Sequence, residues 1–587
     1  MDRRQDAAHR YRSVKIEPAE ITWDTSGAPF NTRYRDIYSS HDAASEVQRV
    51  FLEPADIADR LTVTPHFTIA ELGFGTGLNF VIAAALALRN ARHLHFLSVE
   101  RHPLHAADLK RLRTCCPESA LPLLDELIRQ WPPFLDGWHR REFAGGRIVL
   151  SLWFGDVTDF LSRLVTDQLY GVDAWFLDGF APDRNPDMWS EATFTSMAKV
   201  SRSRATVTTF TSVGRVRRGL ESAGFAMRRV DQSPVKRESL AGEFMRPGRD
   251  CLFPLRAQIL GAGIAGCSLA AHLARRGVEV RLLEPFGAVA TGASQMYAAQ
   301  HSRLLADDSP VAAWRAASHL YSLEFTQGRD GVDACGVIQL PGPNASLDRL
   351  ERTLACYQSS GDWLQWTSPE AVAALAGSQW RPDSAGLWFP SAPVVDLARL
   401  CTDLATTPGI QLAFSDRVDP EVPLIYCNAA GMASLAGEHH IPLHTLWGQA
   451  DHVVFPDPPR TALLGDGYVL PRGEFGVVGS TYEYSPWDPE EATRTNLARL
   501  SSRTHIWTRR QRATRVTTAD RMPLIGKLGD VWVSTAHGSM GATSAHLGAA
   551  VVQSLMMGWA PPVTPEVLDV IAPERFARRA QKKLRKV

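Results

Sequence analysis

Short apolar runs that end on a glycine or an acid recur along the first 210 residues. They are Phe67-Thr-Ile-Ala-Glu-Leu72, His93 to Val99, Ile148 to Phe154, the run from Asp173 to Asp178, and Ala205 to Phe210. Runs this short and this continuous predict strands buried on both faces, as in an open α/β sheet. The first is followed by an Ala/Leu-rich segment, Leu78 to Leu88, that predicts a helix. Residues 1–66 show no such pattern, only Phe30, Tyr34, Tyr38, Phe51 and Leu52 as scattered apolar anchors, and read as a cap. The pattern restarts at Gln258-Ile-Leu260, runs through an apolar helix, and ends with the strand Val278 to Leu283. Beyond it, alternating strands such as Gly476 to Ser480 and Pro/Gly-rich loops predict an α+β lobe inserted into the second sheet.

Glycines at the strand ends separate the two halves chemically. Gly261, Gly263 and Gly266 have the spacing of a dinucleotide turn: one glycine for the bend, one for backbone approach to a pyrophosphate, one for packing of helix on strand. Glu284, ending the next strand, is placed for ribose hydroxyls. In the first half Gly73, Gly75 and Gly77 are closer together and follow Glu71, an arrangement suited to the amino-acid part of S-adenosylmethionine. Glu100 and Asp156 end the next two strands and suit the ribose and the adenine edge. Asp178 opens the loop Asp178-Gly-Phe-Ala-Pro182, where the transferred methyl would point. A carboxylate there orients an amine and accepts its proton, while Phe180 and Trp189 offer faces to a base. Arg215, Arg217, Arg218, Arg228, Arg229, Lys236 and Arg237 cluster after the last strand and suit phosphates.

Totals narrow the picture further. The 587 residues exceed one core, so domains are expected at 1–256 and 257–574, with a basic tail at 575–587 that holds seven Lys/Arg in thirteen residues. Lys+Arg and Asp+Glu both number 63, so contact with RNA must come from local patches. Eight cysteines without a CxxC pair predict no metal site and no disulfide framework, and fit a reducing cytoplasm. No apolar h-region or membrane-length run is present, so neither secretion nor membrane insertion is expected. Nothing points to an obligate protein partner.

The segments ELGFGTGLNF, ERHPL, DAWFLDGFAPDRNPDMW and VKRE, followed by a flavoprotein-type half, resemble the bacterial MnmC family. Its members complete 5-methylaminomethyl-2-thiouridine at the wobble position of tRNA. The resemblance implies a class I (Rossmann-like) methyltransferase fused to an FAD-binding Rossmann domain of the D-amino-acid oxidase group. The oxidase half would convert 5-carboxymethylaminomethyl- to 5-aminomethyl-(2-thio)uridine, and the methyltransferase half would N-methylate that amine. It further implies that Ser294 lies along the flavin, that His537, Gly538, Ser539, Met540 and Gly541 form the closing flavin turn, and that Arg515 or Arg521 holds the substrate carboxylate. Two positions depart from the family: Ser294-Gln295-Met296 where Ser-Gly-Asn is usual, and Trp447 where related oxidases carry arginine. Two further readings stay open from sequence alone, a fusion acting on small free amines and an RNA-binding scaffold whose flavin half has decayed.

Overall fold

The computed structural model describes residues 16–584 except 25–27, 39–41, 167–170, 235–236, 250–252, 344, 358–362 and 502. Lys236 and Cys251 therefore lie outside the described residues. The chain forms two compact units, one from Lys15–Phe253 with Ser554–Pro565, the other from Pro254–Gln553 with Glu566–Val587.

An eight-stranded sheet organises the first unit, in the order Phe225–Asp231, Glu238–Phe244, Ser201–Thr209, Val172–Leu177, His66–Leu72, His93–Glu100, Ile148–Phe154, Gly137–Phe143. The five central strands are parallel, so their carboxyl ends share one edge. The chain moves outward from His66–Leu72 in one direction, then returns to build Val172–Leu177 on its other side. That reversal opens a crevice beyond Leu72 and Leu177, where ligands of open α/β sheets bind. Helix Leu78–Arg89 packs nine buried residues against the sheet. Ahead of it, the small sheet Ile21–Trp23, Pro29–Asn31 and Asp36–Ile37 and the helices that follow form the expected cap.

Three antiparallel strands lie at the edges. Gly137–Phe143 buries Arg140 and Arg141, which the hydropathy pattern does not distinguish from surface charge. Arg140 is satisfied within the unit by Ser554 Oγ at 2.6 Å and the Ala560 carbonyl at 2.5 Å. Trp559 stacks on His95 with ring centroids 4.3 Å apart, so residues from far down the chain complete this core. Residues 241–243 of Glu238–Phe244 are paired with strands on both sides, so the sheet runs on close to the end of the unit's first segment.

In the second unit a six-stranded sheet runs Ile410–Ala413, Glu279–Leu283, Arg256–Leu260, Leu424–Tyr426, Val531–Thr535, Leu524–Leu528, all parallel but the last. Helix Ile264–Ala274, buried along its whole length, covers it. The inserted lobe is an eight-stranded mixed sheet whose longest pair is Leu443–Val454 with Ile506–Thr518.

Candidate active sites

A cavity of about 400 Å³ occupies the crevice of the first unit. Gly73 and Gly75 form its floor, while Glu100, Asp156, Asp178 and Phe180 line its walls. The Gly73 turn is forced: φ is +95°, and a Cβ there would sit 2.6 Å from the Asp178 carbonyl oxygen. Asp178 N–H in turn donates to Leu72 O at 3.0 Å, tying the two strand ends together. Glu100 accepts from Gly75 N at 2.9 Å and His102 N at 2.8 Å. Burial pushes its carboxyl up to about 7, against the pull of these backbone donors. Asp156 accepts from Thr158 N at 2.8 Å.

Asn79, which sequence reasoning passed over, joins two of these acids. Its Nδ2 donates to Glu71 Oε1 at 2.8 Å and to Asp178 Oδ2 at 2.7 Å. Glu71 is fully buried, also accepts from Ser98 Oγ at 2.8 Å, and does not line the cavity. Burial and the neighbouring Asp178 charge push Glu71 well above the usual carboxylate range. Asp178 is pushed up to about 7 by burial and by the charge of Glu46, with the Asn79 donor pulling the other way. The available signal was a lone asparagine inside an otherwise apolar helix, Leu78-Asn-Phe-Val-Ile82.

Phe180 reaches the cavity and stacks on Tyr34 of the cap at 4.6 Å, with Tyr38 edge-on at 5.2 Å. Trp189 does not. It is 6% exposed, and its Nε1 donates to Phe180 O at 3.0 Å, so it braces the loop that presents Phe180. Asp36 holds the same loop by accepting from Ala181 N at 2.9 Å. Arg215 is spent on Pro182 O and Asp183, Arg217 on Glu221, and Arg229 on Glu238, so much of the basic cluster is paired within the unit.

In the second unit Gly261 abuts Asn428, and Gly266 lies against the preceding turn so closely that a Cβ would stand 1.8 Å from Gly261 O. Glu284, 2% exposed, accepts from Ala262 N at 2.9 Å and Phe286 N at 3.1 Å. Ser294 Oγ accepts from Ile264 N at 3.0 Å, at the start of the covering helix next to Gly263. This glycine turn with an acid ending the adjacent strand fits the adenosine pyrophosphate of FAD. The closing turn Gly538–Met540 leads into helix Gly541–Met557. His537, depressed by burial to about 4, shares a hydrogen bond with Ser544 Oγ at 2.9 Å.

Arg515 and Arg521 are placed very differently. Arg515 lies on Ile506–Thr518 beside Gly448, donates Nη2 to Ser480 Oγ at 2.7 Å and stands 5.2 Å from the Tyr482 ring. Its buried Nη1 has no hydrogen-bond partner. Tyr482 Oη is 2.6 Å from Ser539 Oγ, which links this arginine to the closing turn. Arg521 sits exposed in a turn with φ +59°. Its neighbour Asp520 is tied to Arg575 and Arg579, so part of the basic chain end forms the helix Arg575–Leu584 and is paired internally. Trp447 is 36% exposed, with the Arg512 guanidinium 5.9 Å from its ring. Among the described residues no group of acidic, histidine or cysteine side chains is arranged to hold a metal, and no helix is long and apolar enough to cross a membrane.

Comparison with known proteins agrees with this two-site architecture. Residues 118–244 match the family model described as S-adenosyl-L-methionine-dependent methyltransferase, and residues 256–555 match that described as FAD dependent oxidoreductase. The second match spans both departures noted in the flavin half. A bifunctional protein MnmC from Chromohalobacter salexigens is 33% identical over 95% of this chain and 93% of its own length. The one from Methylobacillus flagellatus is 32% identical over 96% of each. Among solved structures, glycine oxidase from Geobacillus kaustophilus covers 51% of this chain and 94% of its own, at 20% identity and a TM-score of 0.44. With relatives at this identity covering both halves nearly end to end, the chain belongs to the family of tRNA 5-methylaminomethyl-2-thiouridine biosynthesis bifunctional proteins, MnmC.

Proposed function

We propose that the chain performs two consecutive reactions on the wobble uridine of a tRNA in the cytoplasm. The second unit removes the carboxymethyl group from 5-carboxymethylaminomethyl-(2-thio)uridine, and the first unit N-methylates the resulting 5-aminomethyl group. Residues 1–256 carry the methyltransferase and 257–574 the oxidase, with residues 554–565 serving the first unit. The observation that most supports the reading is Asp178 at the crevice: a half-buried carboxylate poised near 7, beside a glycine turn and an aromatic stack.

In the methyltransferase, Gly73, Gly75, Glu100 and Asp156 would hold S-adenosylmethionine, which supplies an electrophilic methyl group. Asp178 Oδ2 is occupied by Asn79, leaving Oδ1 to orient the amine and take its proton. A base with a pKa near the working pH combines a large deprotonated fraction with useful basicity. Phe180, supported by Tyr34, stacks on the extruded uracil, while Trp189 fixes its loop.

In the oxidase, Gly261, Gly263, Gly266, Glu284 and Ser294 would hold FAD, which supplies the hydride acceptor for the carbon next to the substrate nitrogen. Arg515 holds the carboxymethyl carboxylate, with its unpartnered Nη1 available for the second prong of a bidentate contact. Arg521, exposed in its turn, is not given this role. The turn from His537 to Gly541, at a helix N-terminus, would favour negative charge on the flavin when it is bound.

The test is nucleoside mass spectrometry of tRNA carrying 5-carboxymethylaminomethyluridine after incubation with the protein. With S-adenosylmethionine the product should be 5-methylaminomethyluridine; without it, 5-aminomethyluridine should accumulate. A protein that lacks flavin absorbance, or leaves both nucleosides untouched, refutes the proposal.

A further inference from the structure

Besides Glu100, Asp156 and Asp178, a carboxylate from the cap faces the cavity of the methyltransferase unit. Glu46 comes from the cap, on the helix Ala43–Val47, and lines the same cavity as Asp178. Ala43 and Val47 on this helix, and Val50 and Phe51 in the helical turn Gln48–Leu52 that follows, are all at most 5% exposed, so Glu46 is held at the wall by core packing. It is half-buried and close enough for its charge to act on Asp178. Arg49 and Gln232, joined by a 3.3 Å hydrogen bond, line the same cavity, and of its carboxylates, Asp36, Glu46, Glu100, Asp156, Asp178 and Asp187, Glu46 is the one whose charge acts on Asp178. A carboxylate has about four acceptor positions, so Glu46 can accept from more than one donor.

We propose that Glu46 and Asp178 form a two-carboxylate clamp on the substrate amine, and that Glu46 limits the reaction to a single methyl transfer. This inference rests on the wobble-amine reading given above. A neutral primary amine has one lone pair and two N–H bonds. With one N–H donated to Asp178 Oδ1 and the other to Glu46, the lone pair is left directed at the methyl group. In the transfer the methyl carbon–sulfur bond breaks with its electron pair staying on sulfur, the sulfonium becomes a thioether, and the nitrogen lone pair forms the new N–C bond. The nitrogen then carries a positive charge, and one of its protons passes to Asp178. The neutral product has a single N–H. Satisfying both carboxylates is then impossible: aiming its lone pair again at a methyl donor would press the new methyl against one of them, a desolvated charge without a donor. Discrimination thus comes from an unmade hydrogen bond, which separates substrates more sharply than the bulk of one methyl group.

The experiment uses the full chain and anticodon stem-loop RNAs with 5-aminomethyl-, 5-methylaminomethyl- or unmodified uridine at the wobble position. Affinity is measured without S-adenosylmethionine, and initial methylation rates and nucleoside products with it. For the wild type, the aminomethyl RNA should be methylated roughly tenfold or more faster than the methylaminomethyl RNA, the worth of one charge-assisted hydrogen bond. Glu46→Gln should bring that ratio close to one, and N,N-dimethylated nucleoside should appear on long incubation. Glu46→Asp, which keeps the charge, should retain at least part of the discrimination. An unchanged ratio with only monomethyl product in Glu46→Gln overturns the clamp. A wild type that binds the aminomethyl and unmodified RNAs equally and methylates neither overturns the wobble-amine reading itself, so the two failures are distinguishable.

Discussion

Replacing Asp178 by asparagine should make the first unit more stable while disabling it. The folded carboxyl is raised from 3.8 to about 7, chiefly by burial. Because the folded-state pKa lies above the unfolded one, the group costs nothing below about pH 4, where both states are protonated. The cost grows as pH rises through 4–7 and is complete above 7. Three units correspond to roughly 4 kcal/mol at 1.36 kcal/mol each, and to about half that once water reaching the partly exposed carboxylate is allowed for. Asparagine keeps an oxygen for the Asn79 Nδ2 donor and has no charge to desolvate. Asp178→Asn should therefore raise the melting temperature of the first unit by about 4–8 °C at pH 8 and by roughly a third of that at pH 5. The relevant transition is the one that shifts with added S-adenosylhomocysteine. Over the same comparison methyl transfer should fall by about 10²- to 10⁴-fold. A variant equally destabilised at both pH values, or one that methylates at the wild-type rate, would refute the assignment of Asp178 as a charged base in a desolvated crevice.

Other perturbations test neighbouring parts. Asn79→Ala removes the donor shared by Glu71 and Asp178, so the acid limb of the methylation pH profile should move upward by about one unit, read from initial rates between pH 5.5 and 9. Arg515→Lys should raise the Michaelis constant for the carboxymethyl substrate about tenfold or more with flavin retained, because an ammonium cannot form the planar two-pronged contact; an unchanged constant would exclude Arg515. Gly266→Ala places a methyl 1.8 Å from Gly261 O, so the purified variant should lose most of its flavin absorbance while keeping S-adenosylmethionine binding.

What was legible in the sequence is what is local. A parallel strand buried on both faces leaves an unbroken apolar run, and a turn at its end that tolerates only glycine leaves a glycine, so the two turns and their strand-end acids stood out. Arg140 and Arg141 sit inside a buried edge strand, and the partners that make Arg140 tolerable there are Ser554 and Ala560, more than 400 residues away. No window of sequence holds that information. Tyr34, Asp36 and Glu46 were hidden for the same reason, since a cap with scattered apolar anchors does not announce which polar side chains it lowers into a crevice. Phe180 and Trp189 looked equivalent until the indole was seen hydrogen-bonded to the loop it supports.

Trp559 against His95 and Ala560 beneath Arg140 also bear on how this chain is made. Everything else in the first unit has left the ribosome by residue 253, yet Ser554–Pro565 arrives roughly three hundred residues later. At about 5–20 residues per second the nascent methyltransferase waits roughly 15–60 s with a buried-arginine strand and a histidine face uncovered. Throughout that interval those surfaces lack their native cover, and the final segment reaches the unit only when translation of the flavin half is nearly complete. Synthesis thus couples the maturation of the two enzymes in time, and a ribosome that stalls inside the oxidase leaves the methyltransferase unfinished as well.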